Sequence, residues 1–420
     1  MPLFPKMVRF RQIFNDPYIS NIGEAINDEL QKYSFTNPIK DLRGKKIGIT
    51  AGSRGISSIA PVISSLSKYL VNQGATTYLI PSMGSHGGGT IDGQLDMLES
   101  LGITEKLTGS KIINNIDSEL LGYSKSGIPV YVNKSVLDLD SIVVVNRVKP
   151  HTDFEGNIES GICKMLAIGL GGPKGAYTVH SYSLYSGYEH TIVDVAKTII
   201  EKLNILFMIG LVENCQNQLS KIQVIKPVKI FTEEPKLLAI AKKMHAKLPV
   251  DNLDVLIIDE IGKNISGTGM DTKIVGRIMV MGQKEPEKPV ISRIVVLNIT
   301  DESHGNAIGL GLADIATKKV FNKIDLNATA LNSISSMSPE QGKIPVILEN
   351  DEEAIKSALE SLGAINHEES RIIHIRNTLF LEEMEASLSI MDEISSNNNI
   401  QILNKAHPLS FSSEGSLSRI

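Results

Sequence analysis

Two short apolar runs, each followed at once by a glycine-rich loop and then by a helix-like stretch, constrain the architecture most. Lys45–Thr50 (KKIGIT) leads through AGSRGI into a segment of helical character from about Ser57 to Asn72. Thr77–Ile80 leads through PSMGSHGGGT into another, from about Ile91 to Leu101. Repetition of strand, glycine loop and helix argues for a doubly wound parallel sheet. Glycine loops at strand ends let a backbone or ligand approach closely and present N–H groups to anions. A third run, Ser141–Val145 (SIVVV), is continuously apolar and so reads as a strand buried on both faces. Ligands in open α/β sheets sit beyond the carboxyl ends of such strands. Asn146, Arg147, Lys149 and His151 are therefore expected at the mouth of a cleft, with Pro150 biasing Lys149 away from helix.

At 420 residues the chain is too long for one ordinary core, and two domains are expected. Residues 1–232 form the first in this reading: an amphipathic helix over Ile19–Tyr33, the three strands above, a helix over Ile192–Leu203 and a strand over Ile205–Gly210. Residues 233–250 read as a connecting helix closed by Pro249, and residues 251–420 as a second α/β domain. Its expected strands are Asp254–Asp259, Arg293–Ile299, Ile344–Leu348 and Arg371–Ile375, with a helix over Glu352–Leu362 and a late helix over Leu381–Ile394. The Ser-rich tail after Leu403 reads as loose. The fold expected is α/β: two α/β domains with a ligand cleft between them.

Composition excludes several classes of function. Hydrophobic residues make up 42% and charged residues 21%, as in globular proteins that dissolve in water. A net charge of −5 gives no electrostatic case for nucleic acid, which wants a basic face. Cys163 and Cys215 are too few for a disulfide framework or a cysteine-rich zinc site, and they suit a reducing compartment. The start of the chain, MPLFPKMVRF, lacks the apolar core of a signal peptide, and no run approaches a membrane span. A cytoplasmic enzyme acting on a small molecule is expected, with no nucleic-acid or membrane partner; a homo-oligomer is left open.

Candidate chemistry gathers on the loops. His86, between Gly84 and Gly87–Gly89, is either a residue in a tight turn that bonds locally or one presented to a ligand. Arg54 occupies the equivalent loop of the neighbouring unit; it is a solvated cation or a fork for carboxylate or phosphate. Lys164 stands in the apolar run SGICKMLAIGLG, where a lone ammonium is costly unless paired or reacted, the bland alternative being a side chain that snorkels. His180, after GLGGPKGAY, is a candidate metal ligand, although a lone histidine is more often structural. Lys263, in EIGKNISGTGMD, is a second anion-binding candidate; His190 and His304 are weaker ones. No dinucleotide fingerprint, GxxxxGK[ST] or HExxH occurs.

The stretches NRVKPHTDFEGNIESGICKMLAIGLG, GSHGGGT, DEIGKNISGTGMD and SHGNAIGLGLAD resemble the nickel-dependent lactate racemase family and its 2-hydroxyacid racemase and epimerase relatives. The resemblance covers most of the chain. It implies a nickel-pincer nucleotide, a pyridinium mononucleotide whose sulfurs and ring carbon bind nickel, held covalently by a lysine. A histidine sixteen residues after that lysine ligates the metal in the family, the separation of Lys164 and His180 here. By the same resemblance His86 and His151 are the acid/base pair, Arg54 the cleft arginine and Lys263 the lysine of the later domain. Ala51 stands where lactate racemase has an aspartate, and the spacing from His151 to Lys164 is three residues longer. Both departures bear on the substrate more than on the cofactor.

The implied chemistry explains these residue types. Inverting a 2-hydroxyacid through hydride transfer leaves a flat 2-keto acid, so a base must stand on each face. Histidine, with an ordinary pKa of about 6.5, takes or gives a proton near neutrality. Arg54 and Lys263 would hold the acid group and keep the keto acid from escaping. Two other functions fit the same residues: an oxidoreductase with a diffusible nicotinamide, disfavoured by the missing fingerprint, and a catalytically silent cofactor-binding relative.

Overall fold

The computed structural model describes residues 4–37, 41–52, 58–364 and 366–420. The chain forms two compact units: Asp16–His151 with Glu155–His245, and Met1–Asn15 with Thr152–Phe154 and Ala246–Ile420. The first strand, β1 (Met7–Gln12), thus belongs with the later part of the chain, whereas the sequence had suggested one domain over residues 1–232.

The first unit is built on β2 (Lys46–Ala51), β3 (Thr76–Pro81) and β4 (Lys111–Ile112), followed by the hairpin β5 (Ser118–Tyr123) and β6 (Pro129–Asn133). Three further strands complete it: β7 (Ser141–Arg147), β8 (Ile205–Glu213) and β9 (Leu219–Ile225). The main sheet has the order β4-β3-β2-β7-β8-β9, parallel except for β9. Residues 141–145 of β7 are buried without interruption, as an apolar run flanked by strands on both sides must be. Gly48 is needed on β2 because a Cβ there would lie 2.5 Å from Ile80 Cδ1 on β3. The helix Ile59–Asn72 buries Ile59, Val62, Ile63, Leu66 and Leu70, a stripe at helical spacing, each side chain contributing about 1.5–3 kcal/mol by leaving water.

Strand order reverses once in this sheet. From β2 the chain proceeds to β3 and β4 on one side; β7 lies on the other side of β2 and leads to β8 and β9. Strand order thus reverses between β2 and β7, and ligands in open α/β sheets sit beyond the carboxyl ends of strands at such a point.

The later unit adds β10 (Asn252–Ile258), β11 (Val290–Val296), β12 (Ile315–Thr317) and β13 (Val346–Leu348), then β14 (Ile372–Asn377), β15 (Phe380–Ser387) and β16 (Ile400–Ile402). Their sheet runs β13-β12-β11-β10-β14-β15-β1-β16, parallel as far as β14 and antiparallel beyond. The late helix expected over Leu381–Ile394 is instead β15, a 3-10 turn at Leu388–Ile390 and a short helix, Met391–Ser395. Tertiary pairing overrides propensity here: β15 lies between β14 and β1, and Glu383 bonds Arg9 at 3.1 Å on β1 and contacts Arg11 as well.

The tail is not loose. His407 exchanges backbone hydrogen bonds with Met7 at 2.7 and 2.9 Å, and Leu409 and Leu417 join the core with Val255 and Ile257. Among the described residues no helix is long and apolar enough to cross a membrane.

Candidate functional site

The loop leaving β7 is held by a buried carboxylate. Glu159, 1% exposed, accepts the His151 N–H at 2.7 Å and the Gly156 N–H at 3.0 Å, and Lys242 Nζ stands 2.6 Å from it. Asn146 donates its amide to the Gly161 carbonyl at 2.7 Å, and Lys149 donates its N–H to Ser160 at 2.9 Å. These bonds tie Asn146 and Lys149 to Ser160 and Gly161, and His151 is buried. Arg147, expected at the cleft mouth, has its guanidinium in an ion pair with the buried Glu213 on β8.

Lys164 ends a single turn, Ile162–Lys164, that continues as a π-turn over Met165–Gly169. Isolated π-turns of this kind are frequent at functional sites. The turn is apolar, with Ile162, Cys163, Met165 and Leu166 buried around the half-buried lysine. Lys164 Nζ lies in hydrogen-bond contact with His151 Nε2. Beneath the turn, Glu234 accepts the Cys163 N–H at 2.9 Å. Burial raises the Glu234 carboxyl to a pKa of about 7 against the hydrogen bonds from Cys163, and burial with the neighbouring Glu234 pushes the Cys163 thiol well up. Gly52, where the loop leaves β2, faces the same turn: a Cβ there would lie 3.0 Å from Met165 Cε.

His180 projects from the helix Gly172–Ser186, and its Nδ1 is enclosed without a hydrogen-bond partner. Enclosure lowers its pKa to about 4, and the positive charge of Lys164 acts in the same direction. The ring is therefore neutral at pH 7, the state in which imidazole ligates a metal. The Tyr188 ring stands edge-on to it, with centroids 5.9 Å apart.

His86 lies on the exposed loop after β3, and that loop rests on the segment joining Lys164 to His180. The Gly84 N–H reaches the Gly169 carbonyl at 3.3 Å, and a Cβ on Gly84 would lie 3.2 Å from both Ile168 and Ala176. Gly84 has φ +59° and Gly87 φ +64°, and a Cβ on Gly87 would come within 2.6 Å of the Gly93 carbonyl carbon. Left-handed backbone and close approach together explain the glycine run. Gln94 ties the turn down, donating to the Gly84 carbonyl at 3.1 Å.

The first unit thus brings together His151 and Lys164, puts His180 within electrostatic reach of that lysine, and docks the His86 loop on the intervening segment. Arg54 lies outside the described residues. Lys263, on the loop after β10 in the later unit, donates its ammonium to the Gly267 carbonyl at 2.7 Å and Asn332 Oδ1 at 2.8 Å. His304 occupies a left-handed turn position at φ +47°, and His190 stands 3.3 Å from Ser126 Oγ on an exposed helix face. Among the described residues no three His, Cys, Asp or Glu side chains are grouped to hold a metal.

Sequence reasoning missed Glu159, Lys242 and Glu234. The signal for Glu234 was present: it shares a helical stripe with Leu237, Leu238 and Ala241, where an acid is out of place. Glu159, between Ile158 and the small residues before Ile162, carried a weaker version of the same anomaly.

The first unit is thus an α/β fold in which Lys164 and His151 meet on the segments after β7, next to the point where strand order reverses. No protein-family model matches the chain, and no curated protein does. Among solved structures it is similar to the lactate racemase apoprotein from Thermoanaerobacterium thermosaccharolyticum, with a TM-score of 0.50 and 15% identity over 89% of this chain and 98% of that one. At this identity the likeness concerns the fold, and the fold is lactate racemase-like.

Proposed function

We propose that the protein is a racemase or epimerase of a 2-hydroxyacid that works with a nickel-pincer nucleotide held covalently by Lys164. One observation carries this reading: Lys164 stands against His151, and its charge acts on His180, whose enclosed Nδ1 has no hydrogen-bond partner. A metal that arrives already chelated needs little more than one such nitrogen from the protein. His180 would supply that nitrogen and Lys164 the covalent link. The bound group would supply hydride acceptance and return at the substrate's C2.

The chain's own residues would handle protons and position. We assign His151 as one acid/base: Glu159 fixes its backbone and Lys164 meets its Nε2. In the loaded protein the lysine nitrogen would carry the link, and His151 would take or give the substrate's hydroxyl proton. His86, exposed on the loop docked over Gly169, is assigned as the second acid/base. Arg54 and Lys263 are the cations assigned to the substrate's carboxylate. Lys263 donates its ammonium to Gly267 and Asn332 within the later unit.

The test is polarimetry or chiral chromatography on a panel of enantiopure 2-hydroxyacids, with protein produced alongside the cofactor-building enzymes. At least one acid is expected to lose optical purity from either enantiomer. Cofactor-loaded protein that interconverts none of them, or that oxidises one only with added nicotinamide, contradicts the proposal.

A further inference from the structure

The helix Ile230–Met244 reaches both central residues of the site through polar side chains that meet buried partners. Its Glu234, fully enclosed, accepts the Cys163 N–H at 2.9 Å on the turn that carries Lys164. Gly161 makes room for that carboxylate, since a Cβ there would lie 2.0 Å from Glu234 Oε1. Eight residues further along, Lys242 Nζ stands 2.6 Å from Glu159, which receives the His151 N–H at 2.7 Å. Eight helical residues rise about 12 Å, so the two arms leave the helix roughly two turns apart. The helix is itself fixed to the sheet: Leu237 is buried so close to Gly210 on β8 that a Cβ on the glycine would meet Leu237 Cδ1 at 2.5 Å.

We propose that this helix sets the spacing of the site, with Glu234 and Lys242 as positioning residues that act through Cys163 and Glu159 on the contact between Lys164 and His151. The inference rests on the roles assigned above to Lys164 and His151. Burying a carboxyl and one end of an ion pair is unfavourable compared with apolar packing in the same places. Both buried acids nevertheless aim at main-chain N–H groups of the two site loops, where an apolar side chain would leave a donor unsatisfied.

The test reads geometry rather than turnover. In full-length, histidine-labelled protein made without the cofactor pathway, the His151 ring nitrogens are observed by NMR and assigned by their loss in His151→Gln. Lys164→Met is expected to shift them, because it removes the ammonium they meet. Lys242→Met and Glu234→Met are expected to shift them in the same sense. Lys242→Arg and Glu234→Gln, which keep the ion pair and the acceptor, should restore the wild-type positions. Lys236→Met, an exposed neighbour on the same helix, should leave them in place. Unchanged signals from His190, which meets Ser126 within the same unit, show that a variant is folded, and Lys242→Met provides the test should Glu234→Met not fold. His151 signals that ignore Lys242→Met while following Lys164→Met overturn the proposal, and so do signals that ignore Lys164→Met. Since no catalysis is measured, a failed search for a racemase substrate leaves this result intact, and a negative result here leaves the racemisation panel to be judged on its own.

Discussion

At the scale of single residues, two buried groups of the candidate site behave in opposite ways. His180, lowered to about 4, favours folding above its ordinary value near 6.5, and that contribution is lost as pH falls through about 4. Glu234, raised from 4.5 to about 7 by burial, contributes stability below pH 4.5 that disappears as pH rises through about 7. The Glu234 effect amounts to about 3 kcal/mol at most, so Glu234→Gln should flatten the loss of stability between pH 5 and pH 7.5 in urea titrations. An identical pH slope in wild type and variant would show that the carboxyl is not held protonated. The acid/base assignment is tested by His86→Ala and His151→Ala, each expected to lower racemisation about 10²–10⁴-fold with nickel content unchanged. Single-turnover absorbance should then show that each variant still reacts with one enantiomer, of opposite hand in the two. Near wild-type racemisation in either variant returns that histidine to a structural role. Lys164 was legible in the sequence because an apolar run isolates it. Glu159 was not, because its two N–H donors and Lys242 meet it only through the tertiary fold.

At the scale of elements, legibility followed locality. β2, β3 and β7 were readable because each is an apolar run closed by a loop signal, and their burial leaves one interpretation. β15 was misread as helix because Leu381, Met384 and Ile394 mimic helical spacing and Glu, Met and Ala favour helix. Its strand state is decided by β1, some 370 residues away in sequence, which Arg11 and Glu383 bring together. Met384, fully buried on β15, should cost about 2–5 kcal/mol when replaced by alanine, as a core strand position does. A change below about 1 kcal/mol in urea denaturation would mean that this segment does not pack between its two neighbours. The π-turn at Met165–Gly169 had no sequence signal beyond its glycine, since its geometry depends on Ser82 and Met165 closing on Gly169.

At the scale of the molecule, two α/β units were foreseeable from length and from the alternation of elements, but their discontinuity was not. β1 completes a sheet whose other strands begin after Ala246, and the tail that pairs with Met7 belongs to the same unit. Strand order in the first unit reverses between β2 and β7, and His151 and Lys164 of the candidate site follow β7 in the chain. The central claim is that Lys164 anchors a cofactor whose metal His180 ligates. It is tested most directly by peptide mass spectrometry and nickel analysis of protein produced with the cofactor-building enzymes. The expected result is a covalent addition on the Lys164 peptide with stoichiometric nickel, both lost in Lys164→Ala, and an addition retained with nickel depleted in His180→Ala. Nickel and the addition persisting together in Lys164→Ala would contradict the account.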